Sequence, residues 1–104
     1  MAFQSPPVVR LIRLVLRHRD PHKVRHGASA LAGRLRSRFG GRVVGPEEPQ
    51  IPRINDQYHR HILLKFEREA SPGEVKALMR EDIEAFRSVE EYKSIRIIVD
   101  VDPY

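Results

Sequence analysis

Between residues 8 and 19 the chain alternates. Val8, Ile12, Leu14 and Leu16 fall on one side of an extended segment, and Val9, Leu11, Arg13, Val15 and Arg17 fall on the other. Alternation with a period of two, in a stretch rich in β-branched and apolar residues, predicts a strand over 8–19. The period then changes. Val24, Ala28, Leu31, Leu35 and Phe39 recur every three or four residues and form one apolar stripe of a helix. Asp20-Pro21 supplies its start, with Asp as N-cap and Pro at the first helical position, and Gly40-Gly41 supplies its stop.

A second strand begins at Arg42-Val43-Val44. Residues 45–54 carry three prolines, and a proline cannot donate to a sheet ladder, so this stretch is expected to be an irregular or bulged edge. Asn55-Asp56 is a turn signal. Residues 58–67 form a third strand, with Tyr58, Ile62, Leu64 and Phe66 on one face and His59, His61, Leu63 and Lys65 on the other. Ser71-Pro72-Gly73-Glu74 is a capping box, followed by the helical stripe Val75, Leu78, Met79, Ile83 and Phe86. A last strand over 94–102 sets Ile95, Ile97, Val99 and Val101 against Arg96, Ile98 and Asp100.

Strand, helix, strand, strand, helix, strand is two split βαβ units. The predicted fold is an α+β, ferredoxin-like βαββαβ plait, a four-stranded antiparallel sheet with two helices on one face. Residues 1–7 form a lead-in and 8–104 a single domain. Right-handed crossovers place the first and third strands centrally, the fourth beside the first and the second beside the third. The other sheet face is then left bare, and carries Arg13, Arg17, His61, Lys65 and Arg96 among Val15, Leu63 and Ile98.

Composition sharpens this picture. The chain has 104 residues, 40% hydrophobic and 32% charged, a globular balance. It contains no Cys, which excludes a disulfide frame, a thiolate zinc site and a cysteine nucleophile. Its apolar runs are far shorter than the ~20 residues of a membrane span, and Pro6, Pro7 and Arg10 interrupt any signal core, so a cytoplasmic location without membrane contact is expected. The net charge is +5 and unevenly distributed: residues 1–52 hold 10 cations and 3 acids, whereas residues 53–104 hold 9 cations and 11 acids. Fifteen of the 19 cations are Arg, whose planar fork suits phosphate. A basic half of this kind is the electrostatic footprint of a polyanion binder.

Catalytic signatures are missing. There is no Gly-x-x-x-x-Gly-Lys-Ser/Thr, and Gly40-Gly41 follows a helix instead of preceding one. No Ser–His–Asp set can be assembled from the serines at 5, 29, 37, 71, 88 and 94. His22 and His26 lie one helical turn apart and His59 shares a strand face with His61, but no third ligand suggests itself, so no metal is expected and the histidines read as facing solvent or a phosphate. Asp100 and Asp102 share a strand face, and pairing with a nearby Arg or turn bonding before Pro103 explains them better than a cation site. What remains is cationic. Arg13, Arg17 and Arg19 repeat at even spacing along the first strand and, with Lys65 and Arg96, form one candidate patch. Arg34, Arg36, Arg38 and Arg42 form another. Without Phe or Tyr on the bare face, these suit tracking of a nucleic-acid backbone better than reading of bases. Arg68 lies past the third strand and just before the capping box at Ser71, beside a helix N-terminus that favours anions.

The chain resembles the C-terminal domain of primosomal protein N′, the replication-restart helicase family. The resemblance is carried by Pro6-Pro7, the strand RLIRLVLRHRD at 10–20, Val44-Gly45-Pro46 followed by Pro49, Ile51, Arg53 and Ile54, then Tyr58, Arg60 and Ile62-Leu63-Leu64-Lys65, and the closing RIIVDVDPY at 96–104. Val8 stands where the family commonly has an aromatic residue. The resemblance implies a fragment of an ATP-dependent 3′–5′ helicase that recognises stalled forks and D-loops. The motor motifs, the ATP site and the zinc sites would lie in other parts of that parent, and this piece would hold no cofactor and perform no catalysis of its own. Its expected partners are single-stranded or forked DNA, the helicase core of the same chain, and the acidic tail of single-stranded-DNA-binding protein, for which Arg68 is the candidate contact. On this expectation Arg13, Arg17, Arg19, Lys65, Arg96, Arg34, Arg38 and Arg42 bind DNA. The alternative is a module that docks on the helicase core and receives the tail, with minor DNA contact.

Overall fold

The computed structural model describes residues 9–48, 53, 54, 56–67 and 71–101. The lead-in at 1–7, Val8, the proline-rich residues 49–52, Asn55, Arg68 and Asp102 lie outside the described residues. In chain order the elements are β1 (Val9–His18), α1 (Pro21–Phe39), β2 (Val43–Glu47), β3 (Arg53–Ile54), β4 (Gln57–Glu67), α2 (Pro72–Arg87) and β5 (Arg96–Val101). The sheet runs β2-β4-β1-β5, every described pairing is antiparallel, and β3 adds to β4. This is the predicted plait with its predicted strand order. β2 and β3 lie along the same edge of β4, Val43 opposite Leu64 and Arg53 opposite Tyr58, so they act as one edge strand interrupted in the middle. The interruption starts at Gly45-Pro46, where the register shifts between Val44 and Glu47. Gly45 has φ +107°, and a Cβ there would lie 2.8 Å from the His61 carbonyl oxygen.

Local chemistry explains the helix boundaries. The Asp20 carboxylate accepts from the backbone N–H groups of His22 (2.9 Å) and Lys23 (3.4 Å), two donors the first turn would otherwise leave unpaired. Ser71 Oγ accepts from the Glu74 N–H at 3.4 Å, one half of the capping box. Gly40, at φ +64°, ends α1, and its N–H returns to the Arg36 carbonyl. Arg42, expected to open the second strand, belongs instead to a 3₁₀ turn over Gly40–Arg42. A second such turn, Glu90–Tyr92, delays β5 to Arg96, two residues later than expected. His18 ties the end of β1 to this region. Its Nδ1 accepts from the Asp20 N–H at 2.9 Å, which leaves the proton on Nε2, 2.9 Å from Ser94 Oγ.

The even-numbered residues of β1 and β4 and the stripes of both helices form one core, which includes Ile12, Leu14, Leu16, Val24, Leu31, Leu35, Ile62, Leu64, Phe66, Met79, Ile83 and Phe86. Both helices therefore cover one sheet face. α1 lies close: a Cβ on Gly27 would come within 2.5 Å of Ile95 Cδ1 and 3.2 Å of Phe86 Cζ, so a larger residue there would push these side chains aside. Phe86 stacks on Tyr92 beside it, centroids 4.7 Å apart. Cover fails at one edge. Val99 and Val101 point to the core face of β5 yet are 42% and 39% exposed, and with Ile97, Met79 and Ile83 they line an open groove between β5 and α2.

Candidate nucleic-acid interface

Register assembles the outward sheet face row by row. Arg17 lies between His59 and Arg96, Val15 between His61 and Ile98, and Arg13 between Leu63 and Asp100, while Leu11 pairs with Lys65. The strand alternation thus brings Arg13, Arg17, Lys65 and Arg96 onto one uncovered face. Arg19 departs from them. It follows β1 in a bend and lines a separate cleft with Pro21, Arg53, Asp56 and Tyr58.

Charge on this face is graded along the strands. Towards one end the cations meet acids: Arg13 binds Asp100 at 2.9 Å and Arg42 binds Glu67 at 2.5 Å. The bond from Arg42 holds the Glu67 carboxyl below its ordinary value. At the other end Arg17 and Arg96 stand opposite each other, and among the described residues neither has an ion-pair partner. The Nε atoms of Arg13 and Arg17 and Nε2 of His59 are shielded from solvent, with no hydrogen-bond partner among the described residues.

The helix-borne cluster has a different environment. Arg38 donates to Asp82 at 2.9 and 3.3 Å and lies 3.7 Å from Glu81, while Arg34 lies 3.6 Å from the same Asp82. Asp82 is 4% exposed and sits between the buried Met79 and Ile83, so the two arginines clip α1 to α2. Arg36 donates to the Gly45 carbonyl, and Arg42 bridges to β4. The four cations predicted as a second patch are thus turned to intramolecular partners. Asp82 was open to detection: an acid on an apolar helical stripe needs a cation from the helix it faces. Arg87 was also overlooked. One turn past Ile83 on α2, it lines a cleft with Arg17, Arg96, Ile97 and Ile98.

One histidine departs from expectation. His59 is only 8% exposed, enclosed on the face where the sequence suggested contact with solvent. Burial first, and then the Arg17 charge, hold its imidazole below the ordinary value of 6.5. Burial, Arg13 and His59 lower His61 in the same direction, against a weaker pull from Glu47. In the unfolded chain both would take up protons near pH 6.5, and in the folded chain only at lower pH. The stability they contribute is therefore complete above that value and is lost as pH falls below it. The urea midpoint should drop between about pH 7.5 and 5.5, and His59→Gln should flatten that drop. A midpoint that holds or rises over this interval would contradict the assignment. His22 and His26 lie exposed on α1 with Arg25 and Ser29, and among the described residues no three His, Asp or Glu side chains are grouped to hold a metal ion. No described helix is long and apolar enough to cross a membrane.

The fold is shared with a solved structure of a de novo designed protein, Foldit4, at a TM-score of 0.62 and 13% identity over 89% of this chain and 94% of that one, which shows the architecture alone. The replication restart protein PriA of Bacillus subtilis (strain 168) is 27% identical over 101 residues, covering 95% of this chain. The match spans only 12% of that relative's length. The family model for the primosomal protein N C-terminal domain matches residues 1–104, end to end. Because that match spans the whole chain, the chain belongs to the primosomal protein N C-terminal domain family.

Proposed function

We propose that this domain is the non-catalytic DNA-binding arm of a replication-restart helicase, and that it holds the phosphate backbone of single-stranded or forked DNA without regard to sequence. One observation carries the reading: the uncovered sheet face ends in Arg17 and Arg96, placed opposite each other with no carboxylate among the described residues to neutralise them. Like charges directly across a ladder are unfavourable, and an anionic ligand relieves the repulsion. Arg13 and Lys65 extend the track along the same face, with Arg13 shared with Asp100. No Phe, Tyr or Trp lies among the described rows of this face, which favours backbone contact over base stacking. ATP hydrolysis, zinc binding and strand separation belong, on this reading, to the remainder of a cytoplasmic parent.

Binding should be weak and steeply salt-dependent. If about three phosphates are engaged on a single strand, log Kd against log salt should have a slope of magnitude near 2. Fluorescence anisotropy with single-stranded and forked oligonucleotides at several salt concentrations measures it. A flat response, or strong preference for one sequence, would refute the reading.

A second reading has its own support. The groove between β5 and α2 exposes Val99 and Val101 beside Lys76, Arg80 and Arg87, and Ile98 is 42% exposed on the opposite face. Such a surface suits docking on the helicase core or capture of the acidic tail of single-stranded-DNA-binding protein, a role for which Arg68, outside the described residues, remains a proposed contact. An amide NMR titration separates the two: oligonucleotide should shift residues around Arg17 and Arg96, and tail peptide those around Val99.

A further inference from the structure

We infer that Arg17, Arg96 and Arg87 together form a seat for one phosphate group of a nucleic-acid backbone, a site that rests on the DNA-binding reading and gives it a location. The three guanidinium-bearing residues come from β1, β5 and the last position of α2, and converge on a single cleft of about 310 Å³ whose other walls are Ile97 and Ile98. Register fixes two of them, since Arg17 and Arg96 are cross-strand partners. Arg87 reaches the cleft from the helix layer, around the open edge of β5.

Two features point to a missing anion. No described acid pairs with any of the three, although Arg13, Arg34, Arg38, Arg42, Arg53 and Arg60 all find carboxylates. Three like charges in one cleft repel unless a counter-charge is supplied. In addition the Arg17 Nε–H is shielded from water and meets no acceptor among the described residues, a deficit that an anionic oxygen removes once the guanidinium turns toward it. A planar carboxylate is satisfied by one or two guanidinium forks, whereas a phosphate offers oxygens to donors arriving from three directions. Because Arg87 belongs to the helix layer, the bound strand leaves the outward face here and passes the β5 edge.

The test uses Arg17→Gln, Arg87→Gln and Arg96→Gln, with Arg25→Gln, exposed on α1 beside His22 and His26, as control, and an oligothymidylate of about 15 nucleotides. Each of the first three should weaken binding about three- to tenfold. Each should also lower the salt slope by about 0.7, with Arg25→Gln near wild type. Thermal midpoints should hold or rise, because each change removes repulsion. If Arg17→Gln and Arg96→Gln weaken binding but Arg87→Gln does not, the three-membered seat is wrong and the DNA-binding reading stands. If the wild type binds no oligonucleotide, that reading fails, and the backbone assignment fails with it. The seat is then judged on inorganic phosphate alone, by whether the Nε–Hε resonances of Arg17, Arg87 and Arg96 shift together with one Kd. Failure of those resonances to move together overturns the seat as well. Inorganic phosphate binding as tightly as the oligonucleotide would assign a free anion, and acetate shifting the resonances equally would assign a carboxylate. Either result overturns the proposal.

Discussion

Leu14→Ala should destabilise the domain by about 2–5 kcal/mol, a large part of the ~5–15 kcal/mol that holds a domain of this size together. Leu14 is fully buried on a central strand, between Ile62 on one side and Val99 on the other, with the helices above. Truncation there removes methyl groups from the core and leaves a cavity that neighbours on two strands cannot close. Val99→Ala removes similar atoms one strand away in the same row, yet Val99 is 42% exposed and its loss should cost under about 1 kcal/mol. Urea unfolding of the two variants, at unchanged m-value, measures the contrast. Equal losses would mean that β5 is covered as well as β1.

Gly45→Ala should cost about 1–3 kcal/mol or more, from two causes that reinforce each other. At φ +107° an L side chain is strained, and the added Cβ would stand 2.8 Å from the His61 carbonyl oxygen and 3.1 Å from the Glu47 nitrogen, both backbone atoms of the sheet. Neither can swing aside as a side-chain tip could. Gly33→Ala supplies the opposite sign. Gly33 is helical, and a Cβ there meets nothing within 4 Å, so alanine should stabilise α1 by roughly 0.5–1 kcal/mol. Thermal denaturation of both variants decides the matter. A neutral Gly45→Ala would show that the edge can shift its register at that point.

Where local chemistry governs, the fold was legible in the sequence. Asp20-Pro21 and Ser71-Pro72 mark helix starts because caps and proline act within one turn, and the alternation of Ile12, Leu14 and Leu16 fixes which face of β1 is buried. Interactions between distant segments were not legible in this way. The second half of the chain is net acidic, but its acids are spent on particular arginines of the first half: Asp100 on Arg13, Asp82 on Arg34 and Arg38, and Glu67 on Arg42. These pairs neutralise part of the first half's excess, and leave Arg17 without a carboxylate among the described residues, in one cleft with Arg87 and Arg96 of the second half. His59 was misplaced for a related reason. Alternation assigned it correctly to the outward face, but could not reveal that its surroundings on that face would enclose it.

The poor cover of β5 also sets the order in which the molecule loosens. β1 and β4 share a ladder that runs the length of both, whereas the described residues of β5 join β1 over Ile12 to Arg17 and border an open groove on the helix side. Segments with few buried contacts open first and most often, well below the free energy of global unfolding. Opening of β5 carries Arg96 away from Arg17, so a poorly covered edge strand bears one wall of the arginine cleft. An anion held between the two arginines would stitch that strand to its neighbour, and occupancy of the cleft and closure of the sheet become a single equilibrium.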